Sequence, residues 1–68
     1  MPMSDQEFNV SLFLDYLREV YARLRGYTDE QIVAYVINEC RVPNHQRHAY
    51  SQNIHQCLMY LRQHGYIV

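Results

Sequence analysis

The sequence predicts an all-α domain of three helices with short connections, followed by a short extended C-terminal tail. Apolar residues recur every three or four positions along most of the chain. Two capping-box patterns, Ser4 with Glu7 and Thr28 with Gln31, stand just ahead of such stripes. Gly26, Pro43 and Gly65 fall where the stripes stop.

The first helix is expected over residues 5–25. Met3 and Phe8 are spaced as a hydrophobic staple around the Ser4–Glu7 box. Phe13, Leu17, Val20, Leu24 and Tyr27 form its inward stripe. Gly26 suits the left-handed residue that ends a helix, and Arg23 and Arg25 complement the negative end of the helix dipole. The second helix is expected over residues 29–40, with Thr28 as N-cap and Asp29 and Glu30 in the first turn. Its β-branched run, residues 32–37, also permits a strand. The caps and the face made by Ile32, Val33, Val36, Ile37 and Cys40 decide for a helix. Pro43 marks a break and Asn44 a new N-cap. A third helix over residues 45–64 then turns Tyr50, Ile54, Cys57, Leu58 and Leu61 inward. Gly65 closes it, and Tyr66, Ile67 and Val68 make the extended tail.

With 68 residues, 49% of them hydrophobic, residues 1–68 make one domain. A chain of this size buries only about 60% of the surface its unfolded form exposes, so its stability margin is small. Two cysteines, Cys40 and Cys57, are too few for a disulfide framework, and both sit on apolar stripes as small core residues. The acidic, polar start of the chain does not resemble a secretory leader, and the longest apolar run, residues 32–37, is far short of a membrane span. The expectation is a cytoplasmic protein without a membrane.

Charge is distributed unevenly. Residues 1–40 hold all seven carboxylates and three arginines, a net −4. Residues 41–68 hold Arg41, Arg47 and Arg62, no carboxylate, and all four histidines: His45, His48, His55 and His64. Histidine gains charge as pH falls, so the +3 segment can become more positive. A helix surface of Arg, His, Gln, Asn and Ser lacking carboxylates could face phosphates and base edges without repelling them. The chain has no lysine, which excludes a polybasic non-specific binder.

Residues 54–68, and above all Leu58, Leu61, Gly65, Tyr66 and Ile67, resemble the recognition helix of a winged helix-turn-helix DNA-binding domain. In that superfamily the leucines pack inward, glycine ends the helix, and the next residues open the first wing strand. The resemblance implies that the exposed N-terminal half of the third helix contacts DNA through Arg47, His48, Ser51, Gln52 and His55. Arginine would pair with guanine or phosphate and glutamine with adenine. His45 and Gln46 would lie against backbone phosphates.

Other chemistries fare worse. Cys40, His45 and His48 are near in sequence, but nothing completes a four-ligand zinc set, so no metal or cofactor is expected. No phosphate loop, nucleophile elbow or carboxylate pair points to an enzyme, and no small-molecule substrate is evident. The first helix adds Leu12, Leu14, Tyr16 and Tyr21 outside its main stripe, so apolar residues occupy much of its circumference. That pattern predicts a partner interface on helix 1. The leading expectation is a DNA-binding transcriptional regulator, dimeric through helix 1 and reading DNA with helix 3. The alternative is a helical protein-interaction module that inhibits or adapts a larger partner without nucleic acid.

Overall fold

The computed structural model describes residues 10–68. Three α-helices, α1 (Val10–Arg23), α2 (Asp29–Glu39) and α3 (Arg47–Gln63), are joined in that order, with a 3₁₀ turn (Asn44–Gln46) leading into α3. Among the described residues there is no strand, and no helix is long and apolar enough to cross a membrane. The Ser4–Glu7 box, the Met3–Phe8 staple and the expected helical residues 5–9 lie outside the described residues. α3 packs against both other helices, more extensively against α2.

The core follows the apolar stripes. Leu17 and Val20 of α1, Ile32, Val33, Val36 and Ile37 of α2, and Ile54, Leu58 and Leu61 of α3 are buried together. α1 ends at Arg23, two residues earlier than expected. Gly26 then takes φ +92°, and the turn carries Tyr27 off the stripe, leaving it 49% exposed instead of buried. The expected capping box opens α2: Gln31 N–H donates to Thr28 Oγ1 at 3.2 Å, and Thr28 N–H donates to Gln31 Oε1 at 2.9 Å. The helical reading of the β-branched run therefore holds.

Two further inward assignments, Cys40 and Tyr50, need correction, whereas Cys57 packs against the core as expected. Cys40 is exposed because α2 ends at Glu39 and the chain leaves the helix there. Val42 takes the expected core place instead, buried beside the α2 stripe. Cys57 is half-buried, and Tyr50 is exposed at the edge of a groove shared with α1. Asn44 makes no side-chain cap; it begins the 3₁₀ turn after Pro43. The tail forms no strand. Ile67 instead plugs the core, while the Val68 main-chain oxygen accepts from Arg62 Nε at 2.8 Å and from the Tyr21 hydroxyl at 3.3 Å. The Arg18 guanidinium lies 4.8 Å from the centre of the Tyr66 ring, in cation–π range, and ties the tail to α1.

Beside the core, the Tyr16 hydroxyl is sealed from solvent without a hydrogen-bond partner among the described residues. Burial pushes the Tyr16 hydroxyl up to about 12, with Cys40 and the Glu39 carboxylate adding to the rise. On the same flank, the Glu39 carboxylate attracts the Tyr35 hydroxyl proton and raises that group too.

Two stability outcomes follow from this packing. Leu58 is fully buried; Leu58→Ala should lose about 2–5 kcal/mol, comparable to the whole margin of roughly 3–5 kcal/mol of a domain this small. Circular dichroism should show it largely unfolded at room temperature. Tyr16→Phe deletes an unsatisfied buried hydroxyl, so urea denaturation should show it unchanged or more stable by up to about 1–2 kcal/mol; a clear loss would mean the hydroxyl has a partner in solution.

Candidate nucleic-acid interface

The buried row of Ile54, Leu58 and Leu61 fixes how α3 is rotated, and so decides which of its side chains meet solvent. The 3.6-residue period places Arg47, Ser51, His55, His48 and Gln52, in that angular order, over an arc of about 140°. Gln52 and His48 are exposed on the outward side, and His55 and Ser51 are half-buried at its border. Arg47 projects along the same side as Ile54 and Leu58. It stands about two turns ahead of Ile54, beyond the packed core, and is exposed there. His45 and Gln46 are exposed in the 3₁₀ turn. Five of the seven expected contact residues are therefore exposed, Ser51 and His55 are half-buried, and Arg47 points about 140° away from Gln52 around the helix.

Sequence reasoning missed one member of the outward side. Met59, 53% exposed, continues the row of His48, Gln52 and His55 and offers an apolar contact of the kind a thymine methyl accepts. It passed as ordinary helix composition; an outward methionine shows only once the core row is fixed.

The cations divide differently from expectation. Arg62 lies about 22 Å along the helix from Arg47 and faces α2, where it grips Asp29 with both terminal nitrogens: Nη2 to Oδ1 at 3.1 Å and Nη1 to Oδ2 at 3.2 Å. This is the ion pair present among the described residues. Asp29 thus neutralises one of the three rearward cations and ties α3 to the start of α2. Arg41 and Arg47, with His45 and His48, concentrate the remaining cationic character at the start of α3.

Expectations for helix 1 change more. Of Leu12, Leu14, Tyr16 and Tyr21, only Leu12 is an exposed apolar residue, at 65%. Leu14, Tyr16 and Tyr21 are half-buried against the chain's own core, so a replacement such as Tyr21→Glu would disturb the fold itself. The long tyrosines reach sideways from the helix, Tyr16 toward the end of α2 and Tyr21 to the tail. Among the described residues, no group of three or more His, Cys, Asp and Glu is placed to hold a metal ion.

No family model, curated protein or solved structure matches this chain.

The Arg62–Asp29 pair is half-exposed, with side chains 40% and 32% accessible, so solvent screens it. Asp29→Asn should lose only about 0.2–1 kcal/mol in urea denaturation, and the loss should shrink further in high salt.

Proposed function

We propose that this chain is a small DNA-binding transcriptional regulator that presents α3 to duplex DNA in a helix-turn-helix arrangement. The observation that carries the reading is the first half of α3: Arg, His, Gln and Ser side chains that are exposed or half-buried, in a segment with no carboxylate from residue 41 onward. Four residues, 40–43, separate α2 from the 3₁₀ turn that opens into α3, a spacing that suits a helix-turn-helix connection. Gln52 and His48 are the candidates for base edges, with Arg47, His45 and Gln46 on phosphates and Ser51 and His55 at the border. Two unpaired arginines give weak affinity, so the reading includes a homodimer that doubles them on a two-fold site. Val10, 54% exposed on α1, lies on the face proposed for that contact. Its setting is the cytoplasm, where the two unpaired thiols stay reduced.

A second reading has its own observation. An open groove of about 740 Å³ between α1 and α3 is lined by Val10, Phe13, Leu14, Tyr50 and Tyr60, a surface fitted to an apolar segment of a larger protein. In that case the chain acts as an inhibitor or adaptor and needs no nucleic acid.

Selection from a randomised duplex library, followed by fluorescence anisotropy at rising salt, separates the two. DNA binding should enrich a duplex and weaken with a log–log salt slope of about −3.5 to −4, the signature of four phosphates neutralised by the dimer. Arg47→Ala combined with Gln52→Ala should abolish retention of that duplex with helical content unchanged, since both side chains are exposed. No enrichment, or a double variant that binds as well as the original, would refute the α3 assignment.

A further inference from the structure

Two helix ends in this molecule are built alike from different residues. At the end of α3, Gly65 N–H donates to Arg62 O at 3.2 Å and Tyr66 N–H to Leu61 O at 2.9 Å, with Gly65 left-handed at φ +77°. At the end of α2, Arg41 N–H donates to Asn38 O at 3.2 Å and Val42 N–H to Ile37 O at 3.1 Å. The bonding pattern is the same Schellman closure, and the residue holding the left-handed position, at φ +54°, is Arg41. It is the one non-glycine residue of positive φ among the described residues; Gly26 and Gly65 fill the other two such positions.

An L side chain in that conformation crowds its Cβ against the neighbouring carbonyl, and glycine removes the conflict. Nothing in the closure uses the arginine side chain. The two hydrogen bonds are main-chain, the apolar contact that accompanies such a motif falls to buried Val42 and Ile37, and Arg41 itself is exposed. Its guanidinium makes no hydrogen bond or ion pair among the described residues. The strained position thus carries a long cation that does nothing for the fold. It stands in the turn leading to α3, a few residues before His45, Arg47 and His48, and no carboxylate follows it in the chain.

We propose that Arg41 is a backbone-phosphate contact that positions α3 on duplex DNA, and that local backbone strain is retained for that charge. This inference rests on the reading of α3 as the nucleic-acid surface. It adds a residue outside the helix to that surface and assigns it affinity rather than sequence preference.

Four proteins test it: the original chain, Arg41→Gly, Arg41→Asn and Arg41→Lys. Each is titrated by anisotropy against the enriched duplex and an unrelated duplex over a salt series, and melted by circular dichroism. Arg41→Gly and Arg41→Asn suit the left-handed backbone, so both should fold, and the glycine variant should melt a few degrees higher. Both should bind each duplex roughly tenfold more weakly, by a similar factor for the two, with the salt slope of the dimer shallower by about 1.8, one phosphate per subunit. Arg41→Lys keeps charge and strain and should stay near the original in affinity and melting. Unchanged affinity and slope in Arg41→Gly would overturn the inference alone, as would a loss confined to the enriched duplex, which marks a base contact. If the original chain binds neither duplex, the reading of α3 falls and this inference falls with it.

Discussion

Burying Ile54, Leu58 and Leu61 in one row is the constraint on which the rest of the molecule depends. Each fully buried aliphatic side chain is worth about 1.5–3 kcal/mol, and a domain of this size has few of them. Rotating α3 to expose even one would remove a large share of the net stability. The orientation of α3 is therefore fixed by hydrophobic burial alone, and its polar residues take the sides that remain. The surface that carries the functional proposal is a by-product of packing: His48 and Gln52 face outward because the leucines cannot.

Electrostatics refine that surface without determining it. Asp29 opens α2 where a carboxylate favours the helix dipole, and from there it reaches Arg62 near the end of α3. One acidic side chain thereby supports a helix start, joins two helices and neutralises Arg62, which shares the angular side of Ser51 and His55 about two turns further along α3. Glu39 sits on the flank where α2 meets α1, beside Tyr35 and Tyr16. The segregation of charge along the chain is thus crossed, among the described residues, by one ion pair, Arg62 with Asp29.

The helices were legible because their signals are local. The Thr28–Gln31 box, the stripes and the glycines at positions 26 and 65 each specify a few neighbouring residues, and the structure has them as read. What sequence periodicity could not convey is how far a side chain reaches once a helix ends. Tyr27 and Cys40 continue their stripes on paper, yet each follows the last helical turn, where the 3.6-residue rule no longer holds. Val42 and Ile67 are core residues that belong to no stripe, since turns fold them inward. Arg41 gave no signal at all, because a left-handed backbone is inferred from glycine or asparagine and here neither is present.

Helix 1 shows why apolar circumference is an unsafe guide to a partner in a very small domain. A stripe wider than one face normally means a second buried surface, and a second chain is the usual supplier. Here the chain supplies most of it. Ile67 and Val68 return alongside α1, where Tyr66 meets Arg18 and Tyr21 bonds to Val68, while Tyr16 tucks in toward the end of α2. Tyrosine suits this work because its ring buries a large area while its hydroxyl can end in water or on a main-chain oxygen. Tyr21 meets that condition and Tyr16 does not. Among the described residues, the apolar surface on helix 1 is consequently narrower than the sequence implies: Val10 and the groove shared with Tyr50 and Tyr60. A dimer or adaptor contact at that edge, on α1 and the neighbouring flank of α3, would leave the outward His48–Gln52 side uncovered.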